Sequence, residues 1–333
     1  MKRLADIKIS TLDLVPVRQD AGPAQSLRNS LDLAQHVEKL GYNRFWVAEH
    51  HNMDGIASSA TAVLLGYLAG GTSTIRVGAG GVMLPNHAPL VIAEQFGTLE
   101  SLYPSRIDLG LGRAPGTDRQ TMLALRRDIN NDGSDFPMML EQLQYFLSDH
   151  AGTKGIKAVP GYGLDIPIWL LGSSTFSAQL AAEKGLPFAF ASHFAPDAME
   201  DAIRLYRANF KPSSSLQEPY IIICINVICA ETMEQAHYLA TSELQKFLHL
   251  QRGDNSLLCK PTHDMSRLWE KWEETSIRHK TRESIWGTPA FVKEKLESLA
   301  QRTGANEVMI NSMIHNPEER IKSYELISRV WFE

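Results

Sequence analysis

The apolar positions of this chain follow two alternating spacings. Short runs of apolar and β-branched residues, typical of strands, are followed by stretches with apolar residues every three to four positions, typical of helices. The first strand and helix cover 7–14 and 25–40, and Gly41 ends that helix as a cap. Further pairs cover 45–47 and 59–68, 75–84 and 89–102, 107–111 and 136–147, 168–171 and 176–184, 188–191 and 196–209, 220–229 and 233–250, and 308–310 and 317–330.

Eight strand-then-helix units predict one domain over residues 1–333, a closed parallel TIM (β/α)8 barrel. An open doubly wound sheet would need fewer units or a GxGxxG turn after its first strand, which this sequence lacks. Two insertions interrupt the repeat. The polar segment 114–133 follows strand four and is a lid candidate, because loops after strands gather at the catalytic mouth. The segment 252–287 follows helix seven and holds three tryptophans, which fits either a lid or a partner surface.

Composition excludes several classes of protein. The chain has 333 residues, of which 44% are hydrophobic and 21% charged, so it is globular rather than disordered. A net charge of −5 without a Lys/Arg cluster argues against a nucleic-acid partner. The apolar run 221–230 is too short to span a membrane, and no export signal follows the start, so we expect a cytoplasmic protein. Three cysteines without a CxxC predict neither disulfides nor a metal site.

Polar residues follow strands two and six, where they would reach the barrel mouth. Glu49, His50 and His51 come directly after strand two. They form either a solvated loop or a catalytic set in which one imidazole acts as an acid–base group while its neighbour holds the loop. Ser192 and His193 follow strand six, and nothing in the sequence favours a functional over a structural role there.

Glycines and an arginine mark strands three and four. Gly78, Gly80 and Gly81 lie inside strand three, which indicates either a bulge or a close approach of backbone to a flat ligand. Strand four ends at Gly112 and Arg113. An arginine at the mouth suits a phosphate or carboxylate, and a structural salt bridge explains it equally well.

Small residues open the helix after strand five. Gly172, Ser173, Ser174 and Ser177 lie at this turn, where hydroxyls commonly cap a helix. The same geometry gathers free N–H groups and hydroxyls, which makes a phosphate site.

Three segments together resemble the bacterial-luciferase-like flavin monooxygenase family. They are VAEHHN at 47–52, VGAGGVMLPNHAPLVIAEQFGTLESLYPSRIDLGLGRAPG at 77–116 and IWLLGSSTFSAQLAAEKGLPFAFASHF at 168–194. Within that family the chain is similar to uncharacterised bacterial members rather than to light-emitting subunits.

The resemblance implies an FMN site at the mouth. A non-proline cis peptide is then expected between Gly80 and Gly81, against the flavin ring, and Arg113 is expected to reach the FMN phosphate. His50 is the implied catalytic histidine, in a set with Glu49 and His51. The implied cofactor-binding residues are Gly80, Gly81, Gly112, Arg113, Gly172, Ser173, Ser174 and Ser177. Luciferases carry Cys where this chain has Gly112, which argues against light emission.

The implied activity is that of an FMN-dependent monooxygenase. Reduced FMN would come from a separate NAD(P)H-dependent flavin reductase and react with O2 to a C4a-hydroperoxyflavin, which oxygenates a small, apolar organic substrate. The family also suggests a homodimer. Two alternatives stay open: an F420-dependent oxidoreductase, since related barrels bind that deazaflavin, and a flavin-binding protein without turnover.

Overall fold

Eight parallel strands close on themselves to form the core of the molecule. The computed structural model describes residues 3–114, 117–126, 133–152 and 155–332. The barrel strands are β1 (Lys8–Asp13), β2 (Arg44–Val47), β3 (Arg76–Met83), β4 (Ile107–Gly112), β5 (Ile168–Gly172), β6 (Phe188–Ala191), β7 (Ile221–Cys229) and β9 (Glu307–Asn311). Each pairs with the next in chain order, β6 pairs with β7, and β9 closes the ring between β7 and β1. The predicted single-domain TIM barrel is confirmed.

Helices surround this barrel. They are α1 (Pro23–Lys39), α2 (Thr61–Gly70), α3 (Pro89–Leu102), α4 (Arg119–Arg126), α5 (Phe136–Leu147), α6 (Thr175–Lys184), α7 (Met199–Asn209), α8 (Met233–Gln251), α9 (Lys271–Lys280), α10 (Pro289–Thr303) and α11 (Pro317–Phe332). Proline opens several of them, where its missing N–H costs no helix bond. Among the described residues, no helix is long and apolar enough to cross a membrane.

The sequence pattern does not predict two elements of the second insertion. The strand β8 (Ile285–Gly287) pairs in parallel with the last three residues of β7, outside the barrel ring. Three residues are too few to establish a period of two, so this strand depends on its pairing with β7. Helix α9 precedes it and packs on α8.

Both insertions touch the loop after β2. The amide of Gly55 donates to the carbonyl oxygen of Asn255 at 3.1 Å, which holds the start of the second insertion at the mouth. In the first insertion, the Thr117 hydroxyl donates to the carbonyl oxygen of His51 at 2.9 Å. The lid prediction for 114–133 lies in part outside the described residues, which resume at Gly133 after 126.

A buried ion-pair network fills the end of the barrel where the strands begin. Arg44 donates to Asp108 at 2.7 Å and to Glu307 at 3.0 Å, and both carboxylates are fully buried. Burial by itself would raise the pKa of Asp108, but Arg44 and Arg76 hold it below its ordinary value. The Tyr220 hydroxyl donates to the second oxygen of Glu307 at 2.8 Å. These charges satisfy one another, so this end of the barrel is closed by polar side chains.

Candidate active site

A cavity of about 420 Å³ opens at the carboxyl ends of the barrel strands. Strand ends and the loops that follow them form most of its wall, and one face of α8 forms another part. Nine of the predicted site residues line it together: His50, Gly80, Gly81, Gly112, Arg113, Gly172, Ser173, Ser174 and Ser177. The geometry therefore joins the signals after strands two, three, four and five into one site.

His50 and His193 both line this cavity, and each has an Nδ1 atom without a hydrogen-bond partner in the described structure. Burial lowers the pKa of His50 to about 4, and the charge of Lys246 acts in the same direction. Burial and the nearby His50 lower the pKa of His193 to about 3. Both imidazoles are therefore neutral near pH 7, so each can accept a proton or a hydrogen bond.

Glu49 and His51 lie behind the cavity wall. One oxygen of Glu49 accepts from His51 Nε2 at 2.9 Å and from His87 Nε2 at 2.8 Å, and the other accepts from the amide of Met83 at 3.3 Å. Burial opposes ionisation, but the two histidines keep the pKa of Glu49 below its ordinary value. The group ties the loop after β2 to the end of β3. Its three ligand-type atoms lie within 4.8 Å of one another, an arrangement that can also hold a metal ion.

The peptide between Gly80 and Gly81 is cis, as expected from the resemblance. The register between β3 and β4 shifts between Ala79 and Val82, so the predicted bulge is also present. A Cβ on Gly81 would lie 2.7 Å from the carbonyl oxygen of Gly110, which is too close. Backbone without side chains therefore forms this part of the cavity wall.

Arg113 lies beside the start of α6. Its guanidinium sits 4.1 Å from the centroid of the Phe176 ring, and no carboxylate pairs with it in the described part of the chain. Ser174 is the N-cap residue of α6, but its side chain makes no capping bond. A Cβ on Gly172 would lie 2.7 Å from the Cβ of Ser177, so glycine lets the helix approach β5. An arginine that pairs with no carboxylate of the described residues, beside a helix start that carries serine hydroxyls, fits a phosphate group.

The wall formed by α8 is not predicted from the sequence pattern. Glu243, Lys246, Phe247 and Leu250 follow a spacing of three, four and seven residues, so one helical face meets the cavity. The same spacing is typical of a helix that faces a core. Within this face, only the charged residues Glu243 and Lys246 indicate a functional site.

Polar side chains link Glu243 to the barrel interior. Asn311 donates to the Asn226 side-chain oxygen at 2.7 Å, and Asn226 donates to the Ser284 hydroxyl at 3.2 Å. Ser284 in turn donates to Glu243 at 3.5 Å. Glu243 is 1% exposed, and burial raises its pKa to about 8. The carboxyl group is therefore mostly protonated near pH 7 and can donate a hydrogen bond into the cavity.

The chain belongs to the luciferase-like monooxygenase family, whose model matches residues 7–307. It is 50% identical over 320 residues to a protein named luciferase-like monooxygenase from Escherichia coli (strain K12), covering 96% of each chain. It is 53% identical over 327 residues to the uncharacterized protein YvbT of Bacillus subtilis (strain 168), covering 98% of this chain and 97% of that protein. An N-acetyl-S-alkylcysteine monooxygenase from the same organism is 34% identical over 328 residues, with 97% of each chain covered.

Solved structures agree with this assignment. The crystal structure of apo-MsnO8 superimposes with a TM-score of 0.85 at 34% identity, covering 99% of this chain and 98% of that one. At 16% identity, the oxygenating constituent of a Pseudomonas putida diketocamphane monooxygenase, solved with FMN, shares the fold with a TM-score of 0.72 and 97% of each chain covered. An F420-dependent secondary alcohol dehydrogenase does so at 14% identity with a TM-score of 0.70, covering 98% of this chain and 100% of that one. Family and relatives support an oxidoreductase of the monooxygenase type, and its structural neighbours bind FMN or F420.

Proposed function

We propose that this protein is an FMN-dependent monooxygenase that takes reduced FMN from a separate NAD(P)H-dependent reductase and uses O2 to oxygenate a small organic substrate. One observation carries the proposal. A single cavity combines an arginine beside a helix start that pairs with no carboxylate of the described residues, a wall of bare glycine backbone and a neutral histidine. A homodimer, which the resemblance implies, and a cytoplasmic location, which the sequence pattern led us to expect, belong to the same proposal.

The residues present fit a flat cofactor with a phosphate tail. Arg113 and the first turn of α6, with Ser174 and Ser177, would hold the phosphate. Gly80 and Gly81 would lie against the ring system, because neither adds a side chain to the cavity wall.

Bound reduced FMN would supply the reaction with electrons for O2, so that one oxygen atom enters the substrate and the other leaves as water. The chain's own contributions are distinct from this chemistry. His50 is neutral and has a free Nδ1, so it can take or give a proton beside the cofactor. Apolar side chains such as Leu12 and Trp46 line the cavity and exclude water from it.

Two other functions use the same cavity. F420 carries a phosphate in its tail and would support hydride transfer without O2. A flavin-binding protein without turnover would keep the cradle at Arg113 and lose product formation. The phosphate cradle at Arg113 and the α6 serines fits either cofactor. We favour FMN because the named relatives are monooxygenases.

The test has two stages. Anaerobic titration measures the affinity for reduced FMN and, separately, for reduced F420. The FMN-loaded protein is then supplied with a flavin reductase, NADH and isotope-labelled O2 in the presence of candidate substrates. These include thioethers such as N-acetyl-S-alkylcysteine, the substrate in the name of one relative.

We expect tight FMN binding and one labelled oxygen atom per product molecule. Preference for F420, with substrate reduced or oxidised anaerobically, would replace the proposal by the deazaflavin alternative. FMN binding with no labelled product across the panel would favour the non-catalytic alternative.

A further inference from the structure

One buried lysine in the cavity wall has no ion-pair partner among the described residues. Lys246 on α8 is 6% exposed, and its Nζ donates to the carbonyl oxygen of Ser256 at 2.8 Å. No carboxylate of the described chain lies within ion-pair distance of this ammonium. Burial lowers the pKa of Lys246 from its ordinary value, and Asp254 and Asp54 oppose that shift from further away. An ammonium group has three donors, so one hydrogen bond leaves two of them for another partner.

The other ionisable groups of the lining do not neutralise Lys246. Glu243, on the same helix, is mostly protonated near pH 7 and accepts a hydrogen bond from Ser284. His50 and His193 are neutral. Arg113 is itself a cation, and it belongs to the phosphate cradle between the ends of β4 and β5. The cavity therefore keeps a second positive charge that the cofactor phosphate does not use.

The surroundings of Lys246 are apolar. Phe247 and Leu250 continue the same face of α8 toward the rim, where Leu250 is 43% exposed. Met53 and Ile56, from the loop after β2, line the cavity as well. A ligand that complements this region has an anionic group for the ammonium and an apolar part for its neighbours.

We propose that the substrate is a small organic acid whose carboxylate binds Lys246 and whose apolar part lies against Phe247 and Leu250. This inference rests on the proposed function, because it assigns the substrate class of that same cavity. A single ammonium with two remaining donors suits a singly charged carboxylate better than a phosphate, which has more acceptors and charge than one lysine can satisfy.

A purely structural role for Lys246 is the competing explanation. A Cβ on Gly55 would lie 2.5 Å from Nζ, so the lysine also packs beneath the loop after β2 and could link this loop to Ser256. Such a link would contribute to stability, and it would not make the cavity distinguish a charged ligand from a neutral one.

The first experiment compares two ligands of matched shape. Hexanoate and hexanamide are titrated calorimetrically into protein saturated with oxidised FMN, without a reductase. We expect hexanoate to bind about tenfold more tightly or better, the effect of one charge-assisted hydrogen bond. Equal affinities, or no binding of either ligand at millimolar concentration, would overturn the proposal. This comparison needs no variant.

The second experiment tests the lysine itself. We expect Lys246→Met to lose the preference for hexanoate and Lys246→Arg to keep most of it. Lys184→Met is the matched control, because Lys184 pairs with Glu141 on the surface, outside the cavity. A preference that survives in Lys246→Met contradicts the assignment. FMN affinity is measured first for each protein, so failure to bind FMN counts against the proposed function, whereas intact FMN binding without acid preference counts against the substrate class alone.

Discussion

The guanidinium of Arg113 stacks on the ring of Phe176 at 4.1 Å, which connects the end of β4 to the first turn of α6. The stack holds the cation beside the start of α6, where Ser174 is the N-cap residue and its side chain makes no capping bond. The charge at this corner of the cavity thus follows β4, and the ring that positions it lies in the helix after β5.

Removing this cation should weaken FMN binding. We expect Arg113→Ala to cost about 1.5–3 kcal/mol of FMN binding free energy, because a charge-assisted contact to phosphate is lost. Phe176→Ala should cost less, about 0.5–1 kcal/mol, because the arginine keeps its charge and loses only its support. Quenching of FMN fluorescence measures both. Arg204→Ala, on an exposed face of α7, serves as control. Unchanged affinity in Arg113→Ala would refute the phosphate assignment.

His50 should separate binding from turnover. We expect His50→Ala to bind FMN as the parent protein does while product formation falls by about two orders of magnitude or more, the usual contribution of a proton-transfer group. The affinity comes from fluorescence titration and the rate from labelled product. His150→Ala, at an exposed position, should match the parent in both. Parental turnover in His50→Ala would exclude the catalytic role.

The eight repeating units are predictable from sequence because each strand is a short apolar run and each helix has its own period. Helix α9 has no such apolar face, since only Glu273 and Ile277 of its ten residues are buried. Its stability comes instead from a capping box between Glu270 and Glu273 and from basic residues in its last turn. Strand β8 is defined only by its partner, which no local pattern reveals.

The two buried histidines should make the protein less stable in mild acid. Their folded-state pKa values, about 4 for His50 and about 3 for His193, lie below the value of about 6.5 for an unfolded histidine. The unfolded chain therefore binds more protons below pH 6.5, and stability falls as the pH drops from 6.5 toward 4.

Urea unfolding at pH 7 and pH 5 measures this effect. We expect each histidine to account for about 1–2 kcal/mol of the loss between the two conditions. His50→Gln and His193→Gln should each reduce the difference, whereas His150→Gln should leave it unchanged. Equal losses in all four proteins would disprove the assignment.

Glu243 should act in the opposite direction. Its folded pKa of about 8 lies above that of an unfolded glutamate, so the folded chain binds more protons between about pH 4.5 and 8. Its contribution to stability is full below pH 4.5 and is lost as the pH rises to 8. When the pH rises from 5 to 9, the free energy of unfolding of Glu243→Gln should increase relative to that of the parent protein by at least about 1 kcal/mol. Unfolding curves that respond identically to pH in both proteins would argue that the carboxyl is ionised.

A side chain at position 112 would crowd Met83. A Cβ at Gly112 would lie 2.7 Å from the Met83 sulfur. We expect Gly112→Cys to destabilise the fold by about 1–2 kcal/mol through overpacking. The double variant Gly112→Cys, Met83→Ala should be more stable, by about 0.5 kcal/mol or more, than the sum of the two single effects predicts, because Met83→Ala frees the space that the new side chain needs. Met313→Ala, another thioether deletion in the same cavity, should give no such coupling with Gly112→Cys.

The sequence identifies the part of the site that follows strands, since a barrel gathers those positions at one mouth. It does not separate His50, which faces the cavity, from Glu49 and His51, which lie behind it, because neighbouring loop residues have no fixed period. Lys246 and Glu243 are harder still to recognise. They line the cavity only because α8 extends along it, and the position of this helix depends on tertiary packing, which no local pattern reveals.

The ion pairs of Arg44 with Asp108 and Glu307 close the barrel opposite its mouth. A cofactor and a substrate that bind in this cavity would therefore both enter from the strand-end side of the barrel. Whichever of the two binds deeper in the cavity would have to bind first and be released last. The barrel would then determine the order of binding and release. An excess of the ligand nearer the opening should slow the release of the ligand below it.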